Sequence, residues 1–214
     1  MNKLFAFGCS ITYGHGLEDC FFAHDNGAGP VPSKLAWPST LASMLNREVV
    51  NLSMPGSSNK AIVHQLSIHR DQIRKGDVVA IHWSYIERHM IVQEGGYRDV
   101  KACKHIGPWM KDKISKIYYK HIWGKQDDSI ISAWYIDYAD LILKNAGIKV
   151  IHCLPPNSGK SVDFQLIQLQ DYIKIHDSLS SHVVDKALDG NHAGPVSHNH
   201  FAKMIYQKYG DYLK

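Results

Sequence analysis

The chain has 214 residues, 44% of them hydrophobic and 21% charged, and carries a formal charge of +4. That length suits one domain with a sizeable core and is short for two. Its Lys and Arg residues are scattered, densest at Lys111, Lys113, Lys116 and Lys120, so nucleic acid is not an expected partner; nor does any stretch approach the ~20 apolar residues of a membrane span.

Lys3 to Phe7 reads as a first strand that stops at Gly8, with Ser10 two positions later in a tight turn. In open α/β sheets that carboxyl edge is where ligands and reacting groups collect. Trp37, Leu41 and Leu45 recur at helical spacing, with Pro38 tolerable in the first turn. Val49 to Leu52 predicts a second strand, followed by a loop from Met54 to Asn59 and a helix over about 58–73. Lys75-Gly76-Asp77 is turn chemistry before a third strand, 78–83. Residues 86–126 contain Gly95-Gly96, Gly107-Pro108 and many aromatics, and are expected to form an insertion or lid. Ile130 to Asn145 predicts an amphipathic helix with Gly147 in its C-cap region. A fourth strand, 148–154, is broken by Pro155-Pro156; residues 161–182 read as helical; Pro195 opens a last helix through about Tyr212. Strands alternating with helices predict an α/β layered fold with a mainly parallel sheet, in a single domain 1–214.

Cys9, Cys20, Cys103 and Cys153 form no CxxC pair, which points away from a zinc ribbon or redox dithiol. Lys3 before an apolar patch faintly suggests an export signal, but a patch of about four residues falls short of the ~7–15 that such a signal needs. The expectation is a cytoplasmic protein with reduced thiols.

The candidate chemistry joins the two ends of the chain. A serine hydroxyl is a weak nucleophile and needs a base within hydrogen-bond reach. His192, in Asp189-Gly190-Asn191-His192, is the candidate base for Ser10, and Asp189 would orient its imidazole. The Ser10 backbone N–H is a candidate oxyanion donor, and Gly56 would let a second N–H approach the ligand. His192, His198 and His200 lie near Asp189, but the i, i+2 spacing of the last two points them apart, so they are expected to be surface or capping residues, with no metal. Trp109, Tyr118, Tyr119, Trp123, Trp134 and Tyr135 are read as core or lid packing, with a sugar-binding cleft as the alternative.

Gly8-Cys9-Ser10 with Thr12 and Gly14, the Asn51-to-Asn59 segment, the 78–88 region and the Asp189–His192 block together resemble the SGNH/GDSL hydrolase family. The resemblance spans most of the chain as spaced blocks and leaves 86–126 and 155–185 unmatched. It implies a flavodoxin-like three-layer α/β/α sandwich, no cofactor, and hydrolysis of lipid or carbohydrate esters. It also implies Ser10 as nucleophile, Gly56 as oxyanion glycine, and Asp189 with His192 as the late pair. Two departures stand out. Gly-Asp-Ser here reads Gly-Cys-Ser, and the oxyanion asparagine expected after the third strand is replaced by His82-Trp83-Ser84-Tyr85, with Arg88 following. Ser84, or Asn59 from the neighbouring loop, is the candidate substitute. The expected function is a serine esterase for an acyl ester, such as an O-acetyl group on a carbohydrate. The alternatives are an acyltransferase on a sugar acceptor and a non-catalytic glycan- or partner-binding module.

Overall fold

The computed structural model describes residues 2–24, 27–94, 98–155 and 175–214. In chain order its strands are β1 (Lys3–Phe7), β2 (Phe21–Phe22), β3 (Gly27–Ala28), β4 (Glu48–Asn51), β5 (Val78–His82), β6 (His89–Ile91), β7 (Lys104–Ile106), β8 (Lys149–Leu154) and β9 (Ile175–Asp177). Its helices are α1 (Ser10–Tyr13), α2 (Trp37–Met44), α3 (Asn59–His69), α4 (Lys113–His121), α5 (Lys125–Asn145) and α6 (Pro195–Leu213).

Successive strand residues point to opposite faces, and β1 shows what this does. Leu4 and Ala6 join Val78, Ala80, Ile151 and Cys153 beneath Trp37 and Leu41 of α2 and Phe201 and Ile205 of α6. Phe5 and Phe7 join Val79, Ile81 and Val150 beneath Ile62 and Leu66 of α3 and Ile136 and Leu143 of α5. The sheet is therefore buried on both faces, as its near-continuous apolar strands require. Its five strands run parallel in the order β4-β1-β5-β8-β9, with Leu4 of β1 opposite Val49 on one side and Val78 on the other. That is the flavodoxin-like order, whose reversal point for ligands lies between β1 and β5.

The structure departs from the sequence reading at two elements. Helix α5 starts at Lys125 rather than Ile130: Asp127 and Asp128 fill its first turn, where carboxylates favour the helix dipole without adding an apolar stripe. The second departure is β9 and a short 3-10 turn, Leu179–Ser181, at the end of the segment expected to be helical; residues 161–174 of that expectation lie outside the described residues. Within 86–126 the described residues include the antiparallel β6–β7 pair and α4, and Met90, Val100 and Cys103 pack against Ala61 of α3. Among the described residues no helix is long and apolar enough to cross a membrane.

His198 is buried, and its Nδ1 accepts the Trp37 N–H at 3.0 Å, so a side chain of α6 caps the start of α2. Burial drives its pKa from 6.5 to about 4, and burial also lowers that of His152. Between these values the unfolded chain binds a proton that the folded one refuses, so stability is lost as pH falls. For His198 alone the loss approaches about 3 kcal/mol toward pH 4. The carboxyls of Asp140, Asp185 and Asp189, all lowered from 3.8, act below that window. Urea unfolding at pH 7.5 and pH 4.5 is expected to show the lower midpoint in acid.

Candidate active site

Strand β1 delivers Ser10 to the edge of the sheet through a turn that only glycine closes. A Cβ on Gly8 would lie 2.3 Å from Thr12 Oγ1 and 3.1 Å from the His82 carbonyl oxygen. The Gly8 carbonyl accepts the Met54 N–H at 3.1 Å, tying the Met54–Asn59 loop to the same turn. Ser10 then opens α1, a single helical turn closed by Gly14 in the left-handed region. Its neighbour Cys9 is buried.

The other half of the site comes from the loop before α6. Asp185 accepts the N–H groups of Val196 at 3.0 Å and Ser197 at 2.8 Å, fixing the helix start, and the Ala187 N–H reaches the His192 carbonyl at 3.0 Å. Within that closed loop Asp189 folds back on the chain. Its Oδ1 accepts the amides of Asn191 and His192, both at 3.0 Å, and its Oδ2 lies 2.5 Å from His192 Nδ1. Gly16 lets the segment after α1 press against this carboxylate: its φ is +88°, and a Cβ there would lie 2.7 Å from Asp189 Cγ. The Leu188 N–H completes the tether to the Gly16 carbonyl at 2.9 Å.

These two halves meet. Ser10 Oγ lies 3.0 Å from His192 Nε2, across 182 residues of sequence. Burial raises the Asp189 carboxyl, but the hydrogen bonds from the His192 ring and the two amides outweigh it and hold the group below 3.8. A carboxylate only accepts, so His192 Nδ1 carries the proton and donates it, leaving Nε2 to accept from the Ser10 hydroxyl. The His15 ring stacks on His192 at 4.7 Å between centroids. Above the pair lies a cleft of 280 Å³ whose walls include Tyr85, Arg88, Ser180 and Lys186.

The remaining sequence candidates take different positions. Gly56 has φ +77° in the turn where the Ser57 N–H donates to the Met54 carbonyl, and the space where its Cβ would be is open. Asn59 is 4% exposed and does not swing toward Ser10. Its Oδ1 accepts the Ser84 N–H at 2.7 Å and its Nδ2 donates to Ser132 Oγ at 3.1 Å, so its amide braces the chain after β5. Ser84 is buried, and its Oγ has no hydrogen-bond partner among the described residues. His192, His198 and His200 do not converge: His198 is buried between helices, whereas His200 is exposed. Among the described residues no group of three or more His, Cys, Asp or Glu side chains is arranged to hold a metal.

Neither a protein-family model nor a curated protein matches the sequence. Solved structures do. A lipolytic protein of the G-D-S-L family from Desulfitobacterium hafniense superposes with a TM-score of 0.55 over 100% of both chains, at 13% identity. A carbohydrate acetylesterase family member from Sinorhizobium meliloti gives 0.55 over 100% of this chain and 99% of that one, at 11% identity. The chain has the SGNH/GDSL hydrolase fold. An acetyl xylan esterase from Butyrivibrio proteoclasticus shares it at a TM-score of 0.57 and 11% identity, with 98% of this chain covering 64% of that one. Within the SGNH/GDSL frame, His15 and Gly16 escaped the sequence reading, which noted Arg88 without giving it a role. Gly16 left one signal, a second glycine two residues after Gly14; His15 and Arg88 acquire their places only through the fold.

Proposed function

We propose that this chain is a divergent SGNH/GDSL hydrolase, a serine esterase acting through Ser10, His192 and Asp189. The observation that carries the reading is the unbroken line of hydrogen bonds from Asp189 Oδ2 through the His192 ring to Ser10 Oγ, 2.5 Å and 3.0 Å long. Ser10 Oγ attacks the ester carbonyl carbon while its proton passes to His192 Nε2. The carbonyl electron pair moves onto the oxygen, where the N–H groups of Ser10 and Gly56 receive it; the Ser10 amide suits this role because the first N–H of a helix has no acceptor within it. His192 gives its proton to the departing alcohol, leaving an acyl group on Ser10. Water, deprotonated by His192, then releases the acid and restores the hydroxyl. Asp189 holds the ring in one tautomer and stabilises the imidazolium throughout. Asn59 and Ser84 enter as support for the wall of the site.

The substrate class is supported by solved structures of the same fold, two of which bear the names of carbohydrate esterases. An O-acyl group on a carbohydrate is therefore the proposed ester, with residues 86–126 as the wall or lid that covers it. The reading includes a cytoplasmic location, supported by four cysteines that are all buried as thiols.

The test is labelling with a fluorophosphonate probe, which reports an activated serine without a known substrate. Wild-type protein is expected to label, and Ser10→Ala and His192→Ala are expected not to. A folded wild type that stays unlabelled would overturn the reading in favour of a non-catalytic binding module.

A further inference from the structure

One cation in the wall of the Ser10 cleft is oriented but unpaired. The Arg88 guanidinium lies 5.2 Å from the centre of the Tyr85 ring and 4.8 Å from that of Trp109. Both contacts are within cation–π reach and hold the guanidinium in place, while its N–H groups still need an acceptor. Nε and Nη1 are shut off from solvent without a hydrogen-bond partner among the described residues, Arg88 forms no ion pair there, and the unburied Nη2 is the group a substrate in the cleft can reach. N–H groups buried without an acceptor are a standing cost to the fold, whereas Arg with a carboxylate gives one of the strongest and most directional hydrogen bonds.

The charge around the cleft has one sign. Arg88 and Lys186 both line it, and no Asp or Glu does among the described residues. Asp189, the nearest carboxylate to the chemistry, is spent on His192 and its own loop. Asp127 and Asp128 line a separate cavity of 230 Å³ on the other side of Arg88, where Asp128 Oδ2 lies 3.0 Å from His89 Nε2. Lys186 is exposed, its Nζ donating to the Asn191 carbonyl at 3.2 Å, and adds a second positive charge at the rim.

We propose that Arg88 is a specificity residue that binds a carboxylate on the substrate, so that the enzyme prefers acidic esters. This rests on the serine-esterase reading and narrows it. The carboxylate has two possible sources, the far end of a dicarboxylic acyl group or a uronate-like alcohol portion, and both present the same carboxylate chemistry to Nη2.

The experiment compares kcat/KM for paired esters in wild type, Arg88→Met and Arg88→Lys. 4-Nitrophenyl hemisuccinate against 4-nitrophenyl acetate tests the acyl side; 4-acetoxybenzoate against phenyl acetate tests the alcohol side. In at least one pair, Arg88→Met is expected to lower the ratio of acidic to neutral ester by about 10- to 100-fold, chiefly through KM, with Arg88→Lys recovering part of it. The pair that responds identifies which side carries the charge. In wild-type protein, free succinate is expected to inhibit neutral-ester hydrolysis competitively and succinamide is not, a readout that holds even where the variants fold poorly. Hydrolysis of neutral esters with neither succinate inhibition nor a change of ratio would overturn the assignment of Arg88 while leaving the esterase intact. A protein that neither labels with fluorophosphonate nor hydrolyses any of the four esters would overturn the esterase reading and this one with it.

Discussion

Replacing His192 with alanine is expected to lower kcat for ester hydrolysis by roughly 10⁴- to 10⁶-fold with little change in KM. In the proposed mechanism His192 Nε2, 3.0 Å from Ser10 Oγ, takes the hydroxyl proton and returns it to the leaving alcohol. Without that ring the hydroxyl attacks still holding its proton, and only substrate positioning and oxyanion donors remain. Asp189→Asn is expected to cost roughly 10⁴-fold by a different route. An asparagine that turns its oxygen toward the Asn191 and His192 amides presents an N–H₂ to His192 Nδ1, which flips the tautomer and points an N–H at Ser10. The double variant Asp189→Asn/His192→Ala is expected to be no slower than His192→Ala, because the carboxylate acts only through the ring. Steady-state kinetics on the three variants check this, with circular dichroism to confirm that the α6 start persists. Additive losses would mean that Asp189 serves the reaction independently of His192.

The hydrogen-bonded line from Asp189 through His192 to Ser10 was legible because each half is encoded locally. Ser10 stands at a strand end marked by Gly8, and Asp189 and His192 stand three residues apart around Gly190, a spacing that lets the carboxylate fold back onto both the His192 amide and its ring. The layers were legible for a similar reason: β1, β5 and β8 are near-continuous apolar runs and need no partner to be recognised. What escaped the sequence depends on distant contacts. Nothing near His198 says that it will receive the Trp37 N–H from 161 residues away. Asn59 looked free to reach the reaction because its loop runs beside the Ser10 turn, yet the Ser84 backbone and Ser132 claim its amide. Arg88 carried no role in the sequence until the fold set it beside Tyr85 and Trp109. Strand β9 is three residues long, below the length at which an apolar period can be recognised.

Trp37→Ala is expected to destabilise the fold by about 3–5 kcal/mol, a large share of the ~5–15 kcal/mol that a domain possesses. The indole is fully buried where α2 and α6 close over the sheet, with its ring edge-on to Phe201 at 5.4 Å and 6.4 Å from His82. Alanine keeps the backbone N–H that His198 accepts, so the loss measures packing rather than the cap. Residues on rigid β1 and β5 cannot collapse into the gap, which places the cost toward the upper part of the range. Trp37→Phe is expected to cost much less: it keeps a ring against Phe201 and removes an indole N–H that has no acceptor among the described residues. Urea unfolding of both variants checks the order. The same contact also reaches the chemistry, because α6 begins three residues after His192, so loosening its grip on α2 loosens the base. Trp37→Ala is therefore expected to lose fluorophosphonate labelling at a lower temperature than it loses helix signal, whereas Trp37→Phe keeps the two together. Coincident losses in Trp37→Ala would mean that the loop around Asp189 and His192 holds its shape independently of the helix packing beneath it.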